Sequence, residues 1–265
     1  MRKTNPPRQS ILVGAGSFVD AAAALRVVEK LPSSFRANLG GVLIEELDTF
    51  AACQIPKQRI ILLSGTTTLA PSQSQVRTLI EADARAFQSS LARAADPNGT
   101  NWVFAQYKGE LVGTSLRAAK GWDILVIGYR RVHKIQGKVI LLTALGRSSD
   151  EMDLASRNLS QQFAVDRIAF SVKTDASDAA RQLHSNAIEF DTFNDCLSAL
   201  TRTNALAVLV DLKRGPVRNQ IDLARLLEAA RCPLIVFGAS GAHALLEHSI
   251  QIPPITARGP PGSGV

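Results

Sequence analysis

Apolar positions follow two alternating rhythms along the chain. Short runs rich in Ile, Leu and Val are separated by longer stretches in which apolar residues return every three to four positions. The short runs read as strands buried on both faces and the longer ones as helices, and their alternation is the pattern of βαβ units around a parallel sheet. In the first half the predicted strands are 10 to 15, 39 to 45, 102 to 107 and 123 to 128, with 60 to 63 as an additional candidate. The predicted helices are 18 to 31, 72 to 95 and 110 to 120. The longest helix has clear punctuation: Ser72 can accept a first-turn N–H, and Asp96, Pro97, Asn98 and Gly99 form a strong stop.

After residue 128 comes a basic loop and then a predicted strand at 138 to 145. The connection, 129 to 137, is shorter than the roughly 10 to 12 residues that a crossover with its helix requires, so this strand is read as opening a new unit. Helix 150 to 163, strand 167 to 172, helix 177 to 185, strand 187 to 190, helix 193 to 203, strand 206 to 211, helix 219 to 230 and strand 234 to 237 follow. The order β-α-β-α-β-α-β thus occurs twice. The halves also match locally, since residues 121 to 128 and 203 to 211 both pass from a helix end through a bend into an apolar strand, which points to a divergent internal duplication. The predicted division is 1–137, a shorter second unit 138–240, and a flexible tail 241–265 rich in Pro and Gly.

Composition narrows the class. With 265 residues, 46% hydrophobic and 20% charged, the chain can bury a sizeable core and is neither disordered nor a disulfide miniprotein. No apolar stretch approaches the roughly 20 residues needed to cross a bilayer, so no membrane association is expected. Arg2, Lys3 and Arg8 before an apolar run imitate an export signal, but the turn 14 to 17 and Asp20 interrupt it, and strand, turn and helix account for the same residues. Cys53, Cys196 and Cys232 are odd in number, far apart and in no C-x-x-C pair, which fits a reducing cytoplasm. The net charge of +7 lies wholly in the first half, where residues 1–137 carry 17 basic and 10 acidic side chains; residues 138–265 carry 13 of each. The tight basic cluster Arg130, Arg131, His133 and Lys134 contains no aromatic platform, so nucleic acid is a disfavoured partner and a solvated loop the simpler reading.

Chemistry-bearing residues are sparse. Gly14, Ala15, Gly16 and Ser17 lie between a strand and a helix, where backbone N–H groups can hold a phosphate, although tight βα geometry alone also asks for glycine there. Val19 stands where a dinucleotide fingerprint needs its third glycine, so no nicotinamide enzyme is inferred. Arg130 and Arg131 follow one strand's carboxyl end, and Lys213, Arg214, Gly215 and Arg218 follow the equivalent strand of the second half, where α/β sheets place ligands. The recurrence makes both loops candidate anion sites. His133, His184, His243 and His248 are dispersed and predict no metal site, Ser64 with Thr66 to Thr68 lacks a nucleophile elbow and reads as loop, and Cys232 beside Pro233 reads as buried.

On its strand and helix motifs the chain resembles a tandem member of the universal stress protein family. The carriers are the Ile11-Leu12-Val13 strand with its small-residue turn and the helix bearing Ala22, Ala24 and Leu25. They continue with Gly109-Glu110-Leu111 leading through Leu116, Ala118 and Ala119 to Trp122-Asp123-Ile124-Leu125-Val126-Ile127-Gly128, and end with Cys232-Pro233-Leu234-Ile235-Val236-Phe237. The resemblance covers residues 10 to 238. It implies two Rossmann-like units of the adenine nucleotide alpha hydrolase-like group, with mainly parallel sheets, packed as an internal pseudo-dimer. It also implies a stress-response role through ATP or another adenine nucleotide, a protein partner or a homodimer. The family's nucleotide-binding residues are only partly present. Neither opening strand ends in an acidic residue; Gly128 keeps the first loop glycine but Arg131 replaces the second; Asp211 and Arg214 replace both in the second half, with Gly215 displaced by one. The expectation is a non-catalytic sensor or interaction module whose ATP motif is degraded in both halves; the alternatives are an enzyme or ATP-binding protein of the adenine nucleotide hydrolase-like group, or a basic nucleic-acid-binding protein.

Overall fold

The computed structural model describes residues 9–46, 59–61, 67–69, 72–96, 99–130, 137–144, 148–173 and 187–241. The elements of the N-terminal half are β1 (Ser10–Ala15), α1 (Phe18–Val28), β2 (Asn38–Glu45), β3 (Arg59–Ile61), β4 (Thr67–Leu69), α2 (Gln73–Ala95), β5 (Asn101–Lys108), α3 (Leu111–Ala118) and β6 (Ile124–Ile127). Those of the C-terminal half are β7 (Lys138–Ala144), α4 (Asp150–Phe163), β8 (Arg167–Val172), β9 (Ala187–Phe190), α5 (Phe193–Leu200), β10 (Ala205–Asp211), α6 (Gln220–Ala230) and β11 (Leu234–Phe237). The helix predicted at 177 to 185 and residues 242–265 of the tail lie outside the described residues, as do Arg131, Cys53 and all four histidines.

Nine strands form one sheet in the order β5-β2-β1-β6-β11-β10-β7-β8-β9, while β3 and β4 make a separate antiparallel hairpin. The hairpin corrects the loop reading of Thr66 to Thr68, since Thr67 and Thr68 pair with Ile61 and Ile60. Every pairing in the large sheet is parallel except one: β6 runs antiparallel to β11, with Ile127 opposite Leu234 and Ile124 opposite Phe237. Within this sheet the strands of the N-terminal half therefore point one way and those of the C-terminal half the other.

This polarity explains the short connection before β7. That strand lies between β10 and β8 and is parallel to both, so it is antiparallel to β6. The chain leaves β6 and enters β7 along one edge of the sheet, and no crossover helix is needed.

Helices cover both faces. Buried residues of α1, α2 and α4 pack on one side with Val13, Leu43, Ile124 and Leu141; those of α3, α5 and α6 pack on the other with Leu12, Leu125, Ile140 and Val208. Both apolar layers run across both halves. A sheet sandwiched this way has no solvent-facing side at its centre, which is why β6 and β11 are apolar and buried at every position.

Candidate functional site

In an open α/β sheet, ligands bind at the carboxyl ends of strands where the chain's direction of travel across the sheet reverses. Two such points exist. One lies between β1 and β6, where Gly14 to Ser17 meet Gly128 and Arg130; the other lies between β7 and β10, where Asp211 to Gly215 emerge. Because β6 and β11 are antiparallel, the two points sit on opposite edges of the sheet. The candidate loops of the two halves therefore cannot share one ligand.

At the first point part of the hydrogen-bonding capacity of the turn is used within the protein. Ser17 caps α1, its hydroxyl accepting from the Asp20 N–H at 3.3 Å and donating to Asp20 Oδ2 at 2.5 Å. The other carboxylate oxygen of Asp20 accepts from the Arg130 N–H at 2.6 Å. Asp83, from the middle of α2, accepts from the Phe18 N–H at 3.0 Å. Two carboxylates thus stand at the positive end of α1, where a bound phosphate would otherwise place its oxygens.

The glycines here answer to packing. A Cβ on Gly14 would overlap Ser115 Oγ, with Ser115 Cβ 3.0 Å away, and a Cβ on Gly128 would lie 2.5 Å from the Asp20 carbonyl oxygen. Gly128 is held beside β1 by its N–H, which donates to the Gly14 carbonyl at 2.7 Å. Gly16 differs, for a Cβ there would meet no neighbouring atom.

The second point is organised around Asp211. Its side chain is buried, and its carboxylate accepts from the Lys213 N–H at 2.8 Å while its carbonyl accepts from the Gly215 N–H at 2.6 Å. The stem of Lys213 lies along the turn after β11, its Cγ 3.3 Å from where a Cβ on Gly238 would stand. Lys213 and Arg214 are exposed, so this loop keeps basic character around a buried acid.

The two halves are also tied through helix starts. Glu110 accepts from the Val112 and Gly113 N–H groups at 2.8 and 2.6 Å, and Gln220 at the start of α6 donates to the same carboxylate at 2.7 Å. Gly113 permits this contact, since a Cβ there would come within 2.5 Å of the Gln220 amide.

The remaining chemistry is quiet. Cys196 and Cys232 are free and buried, and loss of solvation pushes both thiols up to about 12, away from the thiolate form. No group of metal-ligating side chains exists among the described residues, and no helix among them is long and apolar enough to cross a membrane.

No protein family matches the chain by sequence, and no curated protein matches it either. Solved structures do. The chain is similar to a universal stress protein from Archaeoglobus fulgidus at 10% identity, over 87% of this chain and 96% of that one, with a TM-score of 0.44. A functionally unknown protein from Pseudomonas aeruginosa PAO1 aligns at 10% identity over 90% and 95%, with a TM-score of 0.45. The cytoplasmic domain of a prokaryotic cation chloride cotransporter aligns at 10% identity over 90% and 98%, with a TM-score of 0.38. The fold assignment rests on the strand order and polarity of the sheet itself.

The structure brings Gly14, Gly16 and Ser17 of one candidate turn beside Gly128 and Arg130 of another, at the neighbouring ends of β1 and β6, while Lys213, Arg214 and Gly215 stand apart after β10. The sequence reading did not single out Asp20 or Asp83 as site residues. Asp20 was legible, standing three residues after the capping Ser17; Asp83 was not, because only tertiary packing brings α2 to the start of α1.

Proposed function

We propose that the protein is a universal-stress-protein-like, non-catalytic sensor or interaction module of the cytoplasm in which the β1 strand end does not take adenine nucleotides. The observation that carries this reading is the pair of carboxylates, Asp20 and Asp83, on the N–H groups of Phe18 and Arg130. A triphosphate approaching this turn would have to displace two hydrogen-bonded anions and then face their charge, since like charges a few ångströms apart repel strongly in a partly desolvated site. The buried Asp211 argues the same way for the second loop. The module's output would run through a protein partner or a second copy of the chain.

The test is the melting temperature of the full chain with and without millimolar ATP, ADP, AMP or inorganic phosphate, because a ligand that binds only the native state must raise it. The expected result is no shift with any of them and no ATP turnover. An ATP- or ADP-specific rise that Arg131→Ala abolishes would overturn the reading and restore a nucleotide-binding function.

A further inference from the structure

The opposite end of the same strands holds a groove that the strand-end loops do not touch. About 250 Å³ in volume, it is lined among others by Ser10, Asn38, Asn101, Val103, Gly121 and Trp122. Its floor follows from strand register. Ser10, Asn38 and Asn101 are paired neighbours across β1, β2 and β5, and two residues further on Leu12, Gly40 and Val103 form the next row on the same face. Because α3 has only eight residues, the chain turns at Gly121 (φ +84°) and lays Trp122 over β2. Gly40 is what lets it lie there, since a Cβ at that position would stand 2.7 and 2.8 Å from Trp122 Cη2 and Cζ2. The indole is thus a fixed wall.

The polar groups are just as defined. Ser10 is spent: its N–H and hydroxyl both donate to Asp123 Oδ2 at 2.8 Å, which also turns that carboxylate onto the Ser10 backbone. Among the described residues, no ionisable side chain lines the groove. Asn38 and Asn101 are exposed and adjacent, about 5 Å apart by strand spacing, so two amides offer donors and acceptors side by side next to an aromatic face and the exposed Val103.

We propose that this groove binds a small, uncharged, planar ring with neighbouring donor and acceptor atoms, of the nucleobase or pyridine-carboxamide class. The ring stacks on Trp122 and presents its polar edge to Asn38 and Asn101. The absence of charge in the lining selects against anions, the volume admits one ring system, and an amide matches an edge that carries a donor beside an acceptor. This site stands apart from the closed β1 end, at the other edge of the N-terminal strands.

The experiment is a fluorescence titration in the Trp102→Phe background, which leaves Trp122 as the sole tryptophan, since the chain has two. The probes are adenine and nicotinamide, with glucose as the saturated control. The expected result is a saturable change in Trp122 emission with at least one planar probe and none with glucose. Binding should weaken by at least about tenfold in Asn38→Ala/Asn101→Ala, the loss expected when hydrogen bonds to the ring edge go. It should be abolished by Val103→Arg, which fills the groove from an exposed strand position, and unchanged by Asp20→Asn, which lies at the other strand end. The proposal is overturned if neither planar probe gives a saturable change at millimolar concentration, or if both groove variants, folded by circular dichroism, bind as the parent does.

Discussion

Gly14 shows how a residue that reads as ligand chemistry in the sequence can answer to packing. Its position at a strand end, two residues before Gly16, suggested phosphate binding, yet the atom it makes room for is the hydroxyl of Ser115, about a hundred positions away. That hydroxyl is fully buried and without a hydrogen-bond partner among the described residues. Gly14→Ala should destabilise the chain by about 1–3 kcal/mol, the usual cost of forcing an extra methyl into a filled core. Urea denaturation checks this, and the cost should shrink in a Ser115→Ala background, where the overlapping oxygen is gone. Equal losses in both backgrounds would mean that the glycine answers to some other constraint. The same logic covers Gly128, whose neighbour is the first turn of α1, and leaves Gly16 as the glycine in this turn without a steric reason.

At the scale of the element, helix starts were easier to read than helix ends. Ser17, Ser72, Glu110, Ser149, Thr192 and Asn219 each accept a first-turn N–H, and Ser72 with Gln75 completes a capping box. These contacts span two or three residues, so local sequence specifies them. Ends were uneven: α2, α4 and α6 end where expected, but α1 stops at Val28, not 31, because Leu31 stays buried after the helix has ended and keeps the apolar rhythm going. Similarly α5 stops at Leu200, three residues before its predicted end. Glu110 is the cap with most to lose, as it serves α3 and receives Gln220 of α6. Glu110→Ala is expected to cost about 1–2 kcal/mol, in the range of N-cap removals, and Gln220→Ala less. Chemical denaturation of the two variants ranks them; a larger loss from Gln220→Ala would show that the bridge, not the cap, matters.

For the whole molecule the decisive feature is the β6–β11 seam. Its eight paired residues are almost wholly excluded from solvent, and Phe35 from the N-terminal half meets the ring of Phe237 edge-on at 6.3 Å. Each apolar layer contains residues of both halves, so neither half can unfold without exposing the core of the other. Calorimetry of the full chain should therefore show a single cooperative transition, with calorimetric and van't Hoff enthalpies in agreement. Two resolved transitions would mean that the halves are energetically separate despite the shared sheet. The predicted duplication put strands of one polarity in each half; the extra strand β11 at the end of the second half is what closes the sheet across them.

What the sequence determined by itself was local. Alternating apolar rhythms, turn residues and caps placed nearly every described strand and helix, and the brevity of the 129 to 137 connection marked β7 as following without a crossover helix, because these signals act between residues close along the chain. The tertiary structure decided which groups meet. It put Asp83 on the start of α1, set the two strand-end loops on opposite edges, and laid Trp122 on Gly40. Each of these contacts joins segments far apart in sequence, and each depends on sheet order and strand polarity, which no local pattern of polar and apolar residues encodes.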